Sequence, residues 1–167
     1  NHFWSKRVGH SQYHYNGEYG LPLTIIGVKS PWKNPFLWFA VFVVAITKLF
    51  RPYPKYLVLE YGIDHPGEMD FLISIAQPNI AIITPVESNH LEQFGSLELY
   101  RKNKLQLIAA AKYAILHESL RQYVDTDALY YSLGALSDID ASNINISISW
   151  THAVAHYKGQ DFPISLP

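Results

Sequence analysis

The sequence predicts an α/β fold in which helices flank a mostly parallel sheet and an antiparallel β-meander follows at the carboxyl end. Between residues 21 and 134, short apolar runs alternate with segments whose apolar residues recur at helical spacing. From residue 143 onward, apolar and polar residues alternate strictly, which is typical of strands with one buried face. We therefore assign residues 1–134 to an α/β domain and residues 135–167 to a β-meander of the same domain.

The composition limits the classes of function. The chain has 167 residues, 49% of them hydrophobic, which is enough for one domain with a sizeable core. Thirteen basic and fourteen acidic residues give a formal charge of -1, which disfavours nucleic acid as a partner. The chain has no cysteine, which excludes disulfides, thiolate metal sites and a cysteine nucleophile. Residues 1–20 lack the pattern of a signal peptide, so we expect a cytoplasmic protein.

Two apolar segments precede the first clear strand. Residues 21–28 (LPLTIIGV) fit either a strand or the start of a buried helix. Residues 36–50 are apolar throughout their first eleven positions, and as a helix they span about 17–22 Å, too short for the ~30 Å bilayer core. This segment is either a helix covered by protein or a helix lying on the inner membrane face, flanked by Lys33, Lys48 and Arg51.

Strands and helices then alternate along the chain. Residues 56–61 (YLVLEY) form an apolar run of the kind that a parallel sheet buries on both faces. Residues 68–76 show a helical stripe, and residues 80–84 (IAIIT) form a second apolar strand. Ser96 is a candidate N-cap for a helix over residues 97–111. The remaining candidate strands are 112–116, 128–133, 143–150 (NINISISW), HAVAHYK and FPISL, with a turn at Gly159.

Polar residues follow two of these strands, where open α/β sheets bind their ligands. Glu60 lies near the carboxyl end of its strand, and Asp64 and His65 lie in the next turn. His90 lies in the loop after IAIIT. Glu60, His90 and a nearby lysine could surround one hard cation with oxygen and nitrogen ligands. The alternative is that Glu60 is a paired, half-buried carboxylate and His90 an ordinary loop residue.

Other polar groups are weaker candidates. His152 and His156 fall on one face of a predicted strand about 13 Å apart, too far to share a metal ion. We interpret them as solvated strand residues, and Asp125 and Asp127 as a solvated turn. No nucleophile elbow, paired zinc motif or dinucleotide fingerprint occurs in the sequence.

Three segments of the sequence contain recognisable motifs. Residues 58–69 (VLEYGIDHPGEM) resemble the E-x-G-x-x-x-x-G-E segment of the Mur ligase central domain. Residues 82–96 (IITPVESNHLEQFGS) resemble its I-T-N-x-x-x-x-H-L-E-x-F-G-S segment, and residues 15–26 (YNGEYGLPLTII) resemble N-N-E-I-G-x-P-L-T. The three occur in the family's order and approximate spacing. They are most similar to the branch that adds D-alanyl-D-alanine to a UDP-muramoyl-tripeptide.

The resemblance implies an ATP-dependent amide ligase of peptidoglycan precursor synthesis. Family members phosphorylate a substrate carboxylate with ATP, and an incoming amine attacks the acyl phosphate. Mg²⁺ offsets the repulsion between triphosphate and carboxylate. Glu60 and His90 match the family's magnesium-binding residues. Lys104 matches the lysine that is carbamylated in the family, which makes it a candidate metal ligand and catalytic residue.

The resemblance also implies substrates and their contacts. Asn16, with its neighbours, matches a segment near substrate and nucleotide, and Asp64 and His65 lie in the turn that follows Glu60. His117 opens the segment that replaces the family's N-A-D-D on the adenine side. The implied cofactors are ATP and Mg²⁺. The implied substrates are a UDP-muramoyl-peptide and an amino acid or dipeptide.

The sequence also departs from the family pattern. No G-x-x-G-K-[ST] phosphate-binding loop occurs in it, so we expect the 167 residues alone to be inactive. Pro85 stands where the family usually has asparagine, and Leu105-Gln106 stand where it has Gly-Glu. The chain is therefore either a fragment of a divergent ligase, without its flanking domains, or a degenerate module. The degenerate module would bind a protein partner or the membrane surface through the insert 36–50.

Overall fold

The computed structural model describes residues 8–10, 15–87, 91–133 and 137–166. The chain forms two compact units, residues 1–77 and residues 78–167. The predicted domain boundary at 134/135 lies outside the described residues and stays a prediction. Within the described part of the chain, no helix is long and apolar enough to cross a membrane.

The first unit contains two short parallel strands and three helices. Gly20–Ile26 is helical, which resolves the open choice between strand and helix for this segment. Gly27 ends this helix in the left-handed conformation with a φ of 73°. The elements are β1 (Val8–His10), α1 (Gly20–Ile26), α2 (Pro35–Lys48), β2 (Tyr56–Val58) and α3 (Glu68–Ile75).

The core of the first unit forms where α1 contacts α2 and α3. Met69 and Leu72 of α3 are buried, as its predicted helical stripe requires. Leu21 and Leu23 of α1 are also buried. These four buried side chains hold α1 and α3 in the first unit, and the segment between β2 and α3 leads into this core.

The second unit is a six-stranded sheet with helices. Its strand order is β3-β4-β5-β6-β7-β8, parallel from β3 to β6 and antiparallel from β6 to β8. This agrees with the predicted parallel sheet that continues into an antiparallel meander. The elements are β3 (Ile80–Ile83), α4 (Leu91–Phe94), α5 (Leu97–Ala110), β4 (Tyr113–His117), a 3-10 helix (Glu118–Tyr123), β5 (Leu129–Tyr131), β6 (Ile139–Ile146), β7 (Thr151–Tyr157) and β8 (Gln160–Leu166).

Local signals in the second unit are confirmed at two positions. The hydroxyl of Ser96 accepts a hydrogen bond from the Leu99 N–H at 3.1 Å, so Ser96 is the N-cap of α5. Lys158 (φ 49°) and Gly159 (φ 74°) form the two-residue turn between β7 and β8. Pro163 lies in β8, at the end of the sheet.

The predicted strand over residues 143–150 is wrong in its position. The strand β6 begins at Ile139 and ends at Ile146. Beyond it, the Ser147 hydroxyl accepts a hydrogen bond from the Trp150 N–H at 3.0 Å, and the Ser147 N–H donates to the Trp150 carbonyl at 2.8 Å. Serine side chains of this kind offer the backbone an alternative to strand pairing, so the chain turns although its pattern continues to alternate.

The prediction that residues 56–61 form a strand buried on both faces is also wrong. β2 covers only Tyr56–Val58 and pairs with β1, and Tyr56 and Val58 are each 56% exposed. β3 has one buried face, formed by Ala81 and Ile83, while Ile82 is exposed on the other. An apolar run indicates a strand but does not show which neighbour covers it.

Candidate functional site

The predicted site residues Asn16 and Glu60 are brought together in the first unit. The Asn16 side-chain amide donates a hydrogen bond to Glu60 Oε1 at 3.2 Å. The Gly62 N–H donates to the Asn16 carbonyl at 2.8 Å. The Glu60 side chain is exposed, so its carboxylate is paired but is not the half-buried group considered from the sequence. Two of the three recognisable segments therefore meet at this carboxylate.

Gly62 makes this approach possible. A Cβ atom at residue 62 would lie 2.6 Å from Asn16 Cγ and 2.7 Å from Asn16 Nδ2. Such distances are far shorter than van der Waals contact, so any other residue at this position would displace the Asn16 amide. The glycine of the E-x-G segment thus serves the close packing of Asn16 against the Glu60 strand.

The turn that carries Asp64 and His65 is organised by Glu68. Glu68 Oε2 accepts hydrogen bonds from the N–H groups of Asp64 at 2.6 Å and His65 at 2.9 Å. His65 Nδ1 lies 3.2 Å from Glu68 Oε1. Burial acts to raise the pKa of Glu68, but these hydrogen bonds outweigh it and lower the pKa below its ordinary value. Gly67, with a φ of 92°, supplies the left-handed residue before α3.

The Gly-Glu pair of this segment therefore has a structural role at the start of α3. Glu68 binds the main chain of the turn, while the His65 side chain is 66% exposed. Glu68 thus holds the backbone of His65, while the imidazole ring remains exposed to solvent. The sequence singled out Asp64 and His65 and did not identify Glu68 as the residue that holds them.

Lys104 lies on α5 in the second unit. Its Nζ atom is 5.0 Å from the centroid of the Tyr100 ring, a cation–π contact. The Tyr100 ring in turn packs against Phe94 with centroids 4.9 Å apart. The carbamylation of Lys104 and its role as a metal ligand stay predictions.

The predicted metal site extends beyond what the structure describes. His90 lies outside the described residues. Among the residues that are described, no three or more His, Asp or Glu side chains are grouped so that they could hold a metal ion. The proposed set of Glu60, His90 and Lys104 contains a residue outside the described part of the chain, and it remains a prediction.

His117 ends β4, at the edge of the sheet where ligands are expected. Its Nδ1 accepts a hydrogen bond from the Ser119 N–H at 3.2 Å. Its ring meets Tyr131 edge-on, with centroids 5.3 Å apart. Burial raises the pKa of the Tyr131 phenol above its ordinary value.

A charged cluster beside His117 was missed by the sequence reasoning. The Arg121 guanidinium donates to Glu118 Oε1 at 2.5 Å, and the Ser137 hydroxyl donates to Glu118 Oε2 at 2.9 Å. The arginine also lies 3.8 Å from the centroid of the Tyr130 ring. The hydrogen bond from Arg121 lowers the pKa of Glu118. The three-residue spacing of Glu118 and Arg121 was the available signal.

His156 was interpreted as a solvated strand residue and is instead paired. His156 Nε2 lies 2.7 Å from the Ser142 hydroxyl, and His156 Nδ1 lies 2.7 Å from Asp161 Oδ1. The three residues belong to β6, β7 and β8, so the contacts join all three strands of the meander. The side chains of Asp125 and Asp127 are exposed, as predicted.

The sheet order and the flanking helices define an α/β domain, and the Asn16–Glu60–Gly62 arrangement is its candidate site. Residues 44–167 match the family described as the Mur ligase middle domain. The chain therefore belongs to the Mur ligase middle-domain family. This confirms the resemblance drawn from the three sequence segments.

Individual relatives agree with this assignment. The chain is 24% identical over 156 residues to the UDP-N-acetylmuramoyl-tripeptide–D-alanyl-D-alanine ligase of Bacillus subtilis (strain 168), covering 87% of this chain and 28% of that enzyme. It is 40% identical over 53 residues to the enzyme of the same name from Rickettsia prowazekii (strain Madrid E), covering 32% of this chain and 12% of the relative.

Solved structures show the same fold. The chain is similar to MurF from Acinetobacter baumannii, with a TM-score of 0.69, 19% identity and coverage of 97% of this chain and 33% of that one. It is also similar to MurF ligase from Thermotoga maritima in complex with ADP, with a TM-score of 0.66, 24% identity and coverage of 96% and 34%. The chain thus spans about a third or less of the length of each of these proteins.

Proposed function

We propose that this chain is the central part of an ATP-dependent ligase that joins D-alanyl-D-alanine to a UDP-muramoyl-tripeptide through an acyl phosphate. Two enzymes with this printed name match the chain, and one structural neighbour holds ADP. The observation that carries the proposal is the contact between Asn16 and Glu60. It joins two of the recognisable segments at one exposed carboxylate.

Glu60, His90 and Lys104 are the residues that we propose to hold Mg²⁺. The fit rests on the chemistry of Glu60, because Mg²⁺ prefers oxygen ligands and this carboxylate is exposed on one unit of the chain. The Asn16 amide holds one carboxylate oxygen through a neutral hydrogen bond and adds no charge that would compete with a cation. A Mg²⁺ ion held by these residues would neutralise phosphate charge during transfer. On Lys104, carbamylation would replace a cation with an anionic oxygen donor.

Substrate and nucleotide contacts are assigned to Asn16, Asp64, His65 and His117. The exposed His65 ring can donate to an anionic ligand, while Glu68 fixes the turn beneath it. His117 lies at the carboxyl end of β4, beside the aromatic ring of Tyr131. Because the reaction consumes ATP, we place the enzyme in the cytoplasm.

The proposal is tested with nucleotide binding by a ligase that contains this chain as its central part. Replacing Glu60 by Gln removes one anionic oxygen donor without changing the size of the side chain. We expect Glu60→Gln to weaken Mg²⁺-dependent ATP binding roughly tenfold or more, measured by isothermal titration calorimetry. The control variant is Asp127→Asn, which removes an exposed carboxylate elsewhere.

Equal Mg²⁺–ATP affinity in the wild-type protein and Glu60→Gln would contradict the metal-binding role. Absence of any nucleotide binding in the wild-type protein would instead favour the non-catalytic module. That alternative is motivated by Leu105 and Gln106, which replace the family's Gly-Glu directly after Lys104.

A further inference from the structure

The helix α2 exposes an apolar surface. Its half-buried and buried positions form one row at helical spacing, which includes Trp38, Val41 and Ala45. This row is the inner face, and α2 contacts α1 within the first unit. The opposite side is exposed, with Phe36 85% and Phe39 71% accessible. The inner face of α2 therefore packs within the first unit, while its exposed apolar side has no cover among the described residues.

The outward apolar surface continues past both ends of the helix. Trp32 precedes α2 and is 78% exposed, and Phe50 follows it and is 84% exposed. The indole N–H of Trp38 donates to the Trp32 carbonyl at 3.0 Å, which ties the preceding loop to the helix. A continuous apolar surface of this kind marks an interaction site more often than it marks a free surface.

The charged residues in the stretch of sequence that contains α2, between Glu18 and Glu60, all have one sign. Residues 19–59 contain five of the thirteen basic residues and none of the fourteen acidic residues. Residues 19–59 therefore have a formal charge of +5. The rest of the chain has eight basic and fourteen acidic residues, a formal charge of -6. The five cations are Lys29, Lys33, Lys48, Arg51 and Lys55.

We propose that α2 and its cationic flanks bind an anionic lipid surface. The helix is too short to span a bilayer, so it lies in the plane of the surface with its exposed apolar side among headgroups and upper acyl chains. Lys33 and Arg51, beyond the two helix ends, reach lipid phosphates while their stems remain in the apolar layer. Trp32, which is exposed, has the amphipathic ring that favours this depth.

The charge pattern distinguishes a lipid surface from a second copy of the chain. A symmetric dimer through α2 would bring two segments of +5 together, and their repulsion would oppose association. An anionic bilayer supplies an apolar layer and negative charge in the same place. Lipid docking does not depend on the proposed ligase activity, so its test contains no ATP.

The test is co-sedimentation of the 167-residue chain with vesicles. Phosphatidylglycerol mixed with phosphatidylcholine is compared with phosphatidylcholine alone. We expect binding to the anionic vesicles, with roughly tenfold or greater preference over neutral ones that declines as salt is raised. Equal binding to both vesicle types, or binding to neither, would overturn the proposal.

Apolar contact is tested by Phe36→Gln/Phe39→Gln/Phe42→Gln. These side chains are exposed, so their replacement removes apolar surface without emptying the core, and glutamine is a good helix former. We expect vesicle affinity to fall roughly 100-fold or more. The matched control is Ile146→Gln/Phe162→Gln, which removes exposed apolar residues from β6 and β8. A similar loss in the control, or none in the α2 variant, argues against docking through α2.

Charge is tested by Lys33→Gln/Arg51→Gln. We expect roughly 25-fold weaker binding to anionic vesicles, since each of the two cations near such a surface contributes about fivefold. The control Lys102→Gln/Lys112→Gln removes two exposed cations from the second unit and should bind as the wild-type chain does. Unchanged vesicle binding by Lys33→Gln/Arg51→Gln would show that these cations do not contribute to lipid binding, and it would contradict the proposed role of the cationic flanks.

A label provides a readout that does not depend on the multiple variants. Because the chain has no cysteine, Phe39→Cys can carry the only environment-sensitive dye. Vesicles should shift its emission to the blue, and a dye at Lys102→Cys should not respond. A blue shift at residue 39 without vesicles, accompanied by dimer formation in analytical ultracentrifugation, would assign the surface to a second copy and overturn lipid docking.

Discussion

At Gly62, an added methyl group would meet the Asn16 amide at 2.6–2.7 Å. The amide is the end of a short side chain, so it would move and lose its hydrogen bond to Glu60. We expect Gly62→Ala to lower the free energy of unfolding by about 1 kcal/mol, measured by urea denaturation. We also expect it to reduce ligand binding that depends on the position of Glu60.

The cause of this effect can be isolated with a double-mutant cycle. If displacement of Asn16 is the cause, Asn16→Ala/Gly62→Ala should be no less stable than Asn16→Ala. The matched control is Gly17→Ala, because a Cβ atom at Gly17 has no atom within 4 Å. If the losses in free energy of unfolding caused by Asn16→Ala and Gly62→Ala simply add in the double variant, Gly62 acts through another contact.

The carboxylate of Glu68 makes stability depend on pH. Its pKa is lower in the folded chain than the ordinary value of 4.5, because hydrogen bonds from the turn outweigh its burial. The stabilisation is therefore complete above about pH 4.5 and is lost as the pH falls through the lower, folded pKa. We expect Glu68→Gln to reduce stability by about 1 kcal/mol at pH 7, since a charged acceptor is replaced by a neutral one.

Thermal unfolding of both proteins across pH checks this expectation. The difference in Tm between the wild-type chain and Glu68→Gln should shrink as the pH falls below about 4.5. Glu87→Gln, at an exposed loop position, should leave the Tm nearly unchanged at pH 7. A difference at Glu68 that stays constant with pH would show that the charge is not involved.

At the scale of the element, α2 depends on its first residues. The Asn34 side chain accepts hydrogen bonds from the N–H groups of Phe36 at 3.0 Å and Leu37 at 3.3 Å. Few buried contacts support this helix, so its cap contributes a large part of its local stability. We expect Asn34→Ala to cost about 1 kcal/mol and to raise amide hydrogen exchange in α2. Asn34→Asp keeps the acceptor and should retain protection; equal exchange in all three proteins would contradict the capping role.

Elements with a local signal were predictable from the sequence. Ser96 and the helix after it were identified because the capping hydroxyl and the helix lie within a few residues of each other. The position of β6 was not predictable, because the alternating pattern of the sequence continues through Ser147 to Trp150. There, side-chain hydrogen bonds form a turn. Periodicity shows the kind of element, and side-chain hydrogen bonding decides where it stops.

At the scale of the whole molecule, the family and the mostly parallel sheet with its antiparallel meander were predictable, and the local geometry of the site was not. Glu60 and Asn16 were both singled out, yet their contact spans 44 residues of sequence and depends on the space left by Gly62. The pairing of His156 with Asp161 likewise depends on strand register. Motifs identify which residues matter, but contacts between distant segments require the fold.

Pro163 has a consequence for how the sheet ends. Tyr157 and Gln160 close the two-residue turn as a hydrogen-bonded pair, and the pairs alternate from there, so the nitrogen of Pro163 faces away from β7. A foreign strand approaching β8 would find no N–H donor at this position. The proline therefore disfavours the pairing of another chain with the edge strand β8. It does so without removing a hydrogen bond between β7 and β8.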